Sequence, residues 1–153
     1  MSPNEELITK FYTAFSQKNI AEMAACYHED ATFRDPIFYL KGSQIMDMWK
    51  MLIERGTDME ITFGKVHTRK NKVEVTWNAS YSFSSTGQQV HNTIKASFTF
   101  RDGKIHSHHD NFNFHQWAGQ ALGWSGKLLG WSSFLRNKVR KQAMERLLAY
   151  TSE

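Results

Sequence analysis

From Val73 to Phe100 the chain runs in a period of two, a pattern that few architectures accommodate. Val73, Val75, Trp77, Ala79, Tyr81 and Phe83 alternate with polar residues, as do Val90, Asn92, Ile94, Ala96, Phe98 and Phe100. Successive side chains on a strand point to opposite faces, so these are long antiparallel strands with one buried face and one wet face. Asn71-Lys72, Thr86-Gly87-Gln88 and Arg101-Asp102-Gly103 read as turns between them, which predicts a four-stranded meander over 58–114. Strands longer than the usual ~5–6 residues twist and curve, and the hollow of a curved sheet needs a cover.

The cover is predicted upstream. Leu7, Ile8, Phe11 and Phe15 share one helical face, behind the capping sequence Ser2-Pro3-Asn4, giving a helix over about 4–17. Ile20 to Tyr27 continues helical, His28-Glu29-Asp30 breaks it, and Ala31-Thr32-Phe33 begins a strand. Pro36 holds Asp35 extended. Ile37 to Leu40 reads as a second short strand, and Ser43 can cap a third helix over about 44–55 with Ile45, Met48, Trp49 and Leu52 on one side. Helices first and sheet afterwards define an α+β chain: a cone-shaped roll of curved antiparallel sheet covered by N-terminal helices. Four glycines within 118–133 predict a broken loop there, followed from Ser132 by an amphipathic helix with a basic back. Residues 1–114 form the domain proper and 115–153 a C-terminal helical extension of it.

At 153 residues one core is the natural reading. The single cysteine, Cys26, rules out an intrachain disulfide and a cysteine zinc cage, and favours a reducing compartment. The N-terminus has no basic and apolar leader, and no apolar run is long enough to span a bilayer, so a cytoplasmic protein is expected. The net charge of +4 sits in the tail. Residues 127–153 hold six basic against two acidic side chains, while the remainder balances. No basic stripe crosses the body, so nucleic acid is not an expected partner.

The chemistry is concentrated in Asp35-Pro36 and in the run Ile105-His-Ser-His108-His-Asp110-Asn-Phe112. On a strand His106, His108 and Asp110 share a face, but the outer two would lie about 13 Å apart, too far for one metal ion. Which face they take depends on the preceding turn. A two-residue loop at Asp102-Gly103 sets Asp110 opposite Lys95, on the polar side. A three-residue loop pairs Phe100 with Lys104, sets His108 opposite Ala96 and Asp110 opposite Ile94, and turns the pair inward. The second register is preferred because it also buries Phe112 and Phe114, worth a few kcal/mol. Phe11, Phe15, Trp49, Trp77 and Phe98, with Asn92 and Phe112, are the candidate lining of a cavity. No phosphate loop, nucleophile elbow or dinucleotide fingerprint is present, so no cofactor is expected.

With these residues in view, 5–114 resembles the nuclear transport factor 2-like superfamily, particularly its SnoaL-like and ketosteroid isomerase-like members. The resemblance rests on the helix Leu7 to Phe15, Tyr27-His28-Glu29-Asp30-Ala31, Asp35-Pro36, Gly42, and the hairpin Phe98 to Ile105. It implies a general base at Asp35, by likeness to the isomerases, or at Asp110 with His108 as partner, by likeness to the cyclases. The two isomerase oxyanion donors fall on Phe11 and Ala96, which cannot donate, so the isomerase mechanism is not expected to carry over. The resemblance further implies a hydrophobic ring-bearing ligand, cofactor-free proton transfer and a homodimer through the outer sheet face. A non-catalytic binding or interaction module is the alternative. For the basic tail helix and the apolar segment before it, docking on a partner subunit ranks ahead of contact with an anionic membrane.

Overall fold

The computed structural model describes residues 1–152. Helices α1 (Pro3–Ser16) and α2 (Ile20–Ala25) lead into strands β1 (Tyr27–Arg34) and β2 (Tyr39–Lys41) and helix α3 (Gln44–Arg55). Strands β3 (Glu60–Phe63), β4 (His67–Arg69), β5 (Lys72–Ser82), β6 (Gln89–Arg101) and β7 (Lys104–Asn111) follow, and then helices α4 (Phe114–Leu122), α5 (Trp124–Leu129) and α6 (Ser133–Thr151). The strands form one sheet of order β2-β1-β7-β6-β5-β3, with β4 also pairing β5. Its apolar face and the inner faces of α1 and α3 share one core, in which Ile8, Phe11, Phe15, Ile45, Met48, Val75 and Phe98 are buried. This is the expected α+β cone, with α4 packed against β6 and α6 against α3, where Leu147 joins the same core.

Local chemistry explains most boundaries. Ser2 and Glu5 form a capping box at the start of α1: the Glu5 N–H donates to Ser2 Oγ at 3.2 Å and the Ser2 N–H to Glu5 Oε1 at 3.0 Å. The helix predicted to reach Tyr27 stops at Ala25, because the next residues are drawn into the sheet: the Ile105 N–H donates to the Cys26 carbonyl at 2.8 Å, and β1 pairs parallel with β7. Tyr27 is therefore a strand residue, and β1 begins earlier than the predicted Ala31. The second strand is Tyr39–Lys41 rather than 37–40, since the N–H groups of Ile37 and Phe38 are spent on Asp35 Oδ1 at 2.7 and 2.6 Å. The first arm of the meander is interrupted around Gly64, leaving β3 and β4 as separate partners of β5.

The last hairpin departs most instructively. Arg101 pairs with Lys104, and Asp102 and Gly103 both have positive φ (54° and 74°), a two-residue turn of the type Asp-Gly favours. The preferred three-residue loop is wrong. Yet Phe100 pairs with Ile105 and Thr99 with Ser107, so His106 is an extra residue on β7. That bulge shifts the register by one and sets His108 opposite Phe98 and Asp110 opposite Ala96. The acid and the imidazole reach the interior by a bulge, and His106 leaves their face, its ring centroid 5.9 Å from that of His28.

The segment predicted as a broken loop is instead two helices. Asn113 caps α4 by accepting the Gln116 N–H at 3.0 Å, and Gly123, at φ 71°, breaks α4 from α5. Gly126 is buried where α5 crosses α4, and a methyl group there would collide with the Ala118 carbonyl. Gly126→Ala is expected to lower stability by about 1–3 kcal/mol in urea unfolding, the usual penalty for overpacking. An unchanged midpoint would mean that the α4–α5 crossing is loose.

Candidate functional site

Two buried polar groups stand in the apolar interior: His108 is 1% exposed and Asp110 2%. Burial of a carboxylate is tolerated only with donors aimed at it. His108 Nε2 lies 2.8 Å from Asp110 Oδ1, and Trp77 Nε1 donates to the same oxygen at 3.4 Å. Behind the imidazole, His108 Nδ1 lies 2.8 Å from the Tyr27 hydroxyl, which accepts the Trp49 indole N–H at 3.0 Å. The network assigns the protons. A carboxylate only accepts, so His108 Nε2 is the donor toward Asp110, and a neutral imidazole then accepts at Nδ1 from the Tyr27 hydroxyl. Burial holds the Tyr27 phenol well above the ordinary tyrosine range, with the Trp49 hydrogen bond opposing and the Asp110 charge adding, so Tyr27 remains a neutral donor.

The imidazole is walled by rings. Phe98 lies 4.2 Å away between centroids, Phe33 4.9 Å and edge-on, Phe11 5.9 Å and edge-on, and Trp49 6.1 Å and stacked. These contacts fix the ring plane and keep water from competing for either nitrogen. Both of the donors to Asp110 converge on Oδ1. Asp110 also lines a cavity of about 240 Å³. Phe15, Trp49, Trp77, Asn92 and Phe112 share that lining, while Phe11, Phe98 and His108 stand behind it as support.

Asp35 lines the same cavity from the turn between β1 and β2. Its Oδ1 holds the backbone of Ile37 and Phe38, so the residue is a turn former and a cavity group at once. Desolvation pushes its carboxyl up to about 7, against the pull of those two N–H groups and of Arg140, with the Asp110 charge adding to the rise. At neutral pH such a group both gives and takes a proton. Arg140 braces the turn by donating from Nε to the Pro36 carbonyl at 2.8 Å.

Sequence reasoning missed Tyr27 and the wall supplied by the C-terminal helices. Tyr27 was hidden by its helical spacing from Met23. Trp117, Val139 and Ala143 line the cavity from α4 and α6, and Tyr81 lines it from β5. Trp117 donates to the Tyr81 hydroxyl at 2.9 Å, joining α4 to β5 within that lining. The Tyr12 hydroxyl, beside the Trp77 ring, is buried and finds no hydrogen-bond partner among the described residues.

Residues 8–108 match the SnoaL-like domain family, and the chain belongs to it. No curated protein sequence matches the chain. Solved structures show the same fold at low identity. TerC, co-crystallised with polyporic acid, is 21% identical over 76% of this chain and 98% of its own, with a TM-score of 0.64. IdmH from Streptomyces antibioticus, described as a candidate polyketide cyclase, is 17% identical over 76% of this chain and 96% of its own, also at 0.64. An epoxide hydrolase of the LEH-like type from M. tuberculosis is 14% identical over 87% of this chain and 95% of its own, again at 0.64.

The raised Asp35 carboxyl has a consequence for stability. The unfolded chain loses this proton near pH 4 and the folded chain near pH 7, so the folded state binds more protons between the two. The stability this group contributes is complete below pH ~4 and is lost as pH rises through ~7. Urea unfolding of the wild type and Asp35→Asn at pH 4 and pH 8 should therefore differ. The wild type should lose roughly 2–4 kcal/mol more than the variant over that interval. Equal losses would show that Asp35 ionises normally.

Proposed function

We propose that the protein binds a hydrophobic, ring-bearing small molecule in the cone and moves a proton on it without a cofactor. The observation that carries this reading is the buried Asp110, held on Oδ1 by His108 and Trp77 while it lines an aromatic cavity. Asp110 is the base: it takes a proton from an acidified C–H beside a carbonyl through Oδ2. His108 is its partner, with Tyr27 behind it fixing the tautomer, so that the oxygen pair is held in one geometry through the reaction. Asp35, with its carboxyl near neutrality, supplies or removes a second proton on the same ligand. Phe15, Trp49, Trp77 and Phe112 stack on the rings, and Asn92 offers a polar contact. The net change is an isomerisation, or a ring closure through the resulting enolate. TerC with polyporic acid and the cyclase description of IdmH, both on this fold, support a ring-bearing ligand class. A homodimer through the outer face of the sheet belongs to the same proposal.

Binding without chemistry is the second reading. The positions that resemble isomerase oxyanion donors are the buried Phe11 and Ala96, which offer an enolate oxygen no hydrogen bond.

Exchange of the α C–H of a cyclic aryl ketone, which keeps that proton at neutral pH, for deuterium, followed by NMR, separates the two. The wild type should accelerate exchange, and Asp110→Asn should lose about 10²–10⁴-fold of that acceleration. The amide keeps the shape and the two accepted bonds, so its melting temperature should stay close to that of the wild type. Tryptophan quenching by the ketone with no acceleration of exchange by the wild type would establish binding alone.

A further inference from the structure

Beyond the cavity, the C-terminal helices expose an apolar surface that none of the described residues covers. Between positions 124 and 134 five large apolar side chains face solvent: Trp124 (75% exposed), Leu128 (54%), Leu129 (46%), Trp131 (72%) and Phe134 (73%). Trp124 and Leu128 lie one turn apart on α5, and Trp131 sits in the turn before α6. The Trp131 indole N–H donates to the Leu128 carbonyl at 2.9 Å, so this ring stands outward with its polar atom already satisfied. Phe134 opens α6, and Lys138 and Lys141, at i+4 and i+7, continue its face in exposed positions, with Lys127 exposed on α5. Apolar clusters of this density on a protein surface mark contact sites.

Charge selects the partner. The chain from 127 onward carries six basic and two acidic side chains, while everything before it is balanced. A second copy meeting this face across a two-fold axis would bring Lys127, Lys138 and Lys141 against the same lysines. An anionic lipid surface complements both features, taking the aromatic groups at the headgroup level and the lysines at the phosphates. This reverses the order expected from sequence alone, because the aromatic side chains stand in solvent beside unshielded lysines.

We propose that α5, the turn after it and the first turns of α6 dock the protein peripherally on an anionic lipid surface. Trp124, Leu128, Trp131 and Phe134 enter the headgroup region, while Lys127, Lys138 and Lys141 face the phosphates. The anchoring is interfacial: among the described residues no helix is long and apolar enough to cross a membrane. Leu122 and Val139, which flank this surface in sequence, line the cavity, so a docked protein holds one cavity wall beside the lipid. The docking stands apart from the function proposed above, and its test needs no ligand.

The test is sedimentation of the full chain with vesicles of phosphatidylcholine, with and without phosphatidylserine, at low and high salt. Binding is expected to the phosphatidylserine vesicles, to weaken with salt, and to shift tryptophan emission to the blue. Replacing Trp124, Trp131 and Phe134 together by Ser should weaken it at least about tenfold, and each Lys→Gln change at 127, 138 or 141 by about fivefold. The Lys variants leave the apolar side chains in place, and thermal melts establish that both sets fold. Absence of binding at low salt, or equal binding to both vesicle types, overturns the proposal. So does an oligomer that the Ser variant abolishes while vesicles are not bound.

Discussion

A carboxylate inside an aromatic core demands donors, and the placement of Asp110 organises much of this fold. Its Oδ1 is met by His108 from the same strand and by Trp77 from β5. Those donors need support in turn. His108 is kept in one tautomer by Tyr27, and Tyr27 by Trp49 of α3. The string thus ties β7 to β1, to the covering helix and to the centre of the sheet. Leaving any member unpaired would cost on the order of 1–3 kcal/mol, more for the charged end.

The surrounding rings serve the same constraint. Phe11, Phe33, Phe98 and Trp49 pack around the imidazole and supply the apolar burial that offsets the desolvation of the polar string. On the other side of Asp110 the lining opens into a cavity. One edge of the carboxylate is therefore fixed by the protein while its residue borders the cavity. Asp35 reaches that space from the turn between β1 and β2, which is held by its own side chain and braced by Arg140 from α6. The C-terminal helices thus take part in both cavity wall and turn geometry.

Much of this was legible from spacing. The period-two runs gave β5 and β6, the helical faces gave α1 and α3, and the order of elements gave the cone. The polar pair on the last strand stood out by composition alone. What spacing could not supply was parity. Asp102-Gly103 makes the two-residue turn its chemistry favours, and the inward placement of His108 and Asp110 comes from the bulge at His106, a long-range accommodation with no local signature. Tyr27 was misread because its distance from Met23 fits a helix, whereas pairing with β7 draws the chain into the sheet before that residue. The glycine-rich stretch was read as a loop because glycine weakens helices. Here Gly126 permits a close helix crossing and Gly123 separates two short helices.

Tyr27, His108 and Asp110 form one directed string in which the imidazole accepts at Nδ1 and donates from Nε2. Nitrogen NMR of the His108 ring, recorded where the ring is neutral, reads this directly. A directed string gives a single Nε2-protonated tautomer, with its hydrogen slow to exchange with water. A ring protonated on Nδ1, or one averaging between tautomers in exchange with solvent, would contradict it.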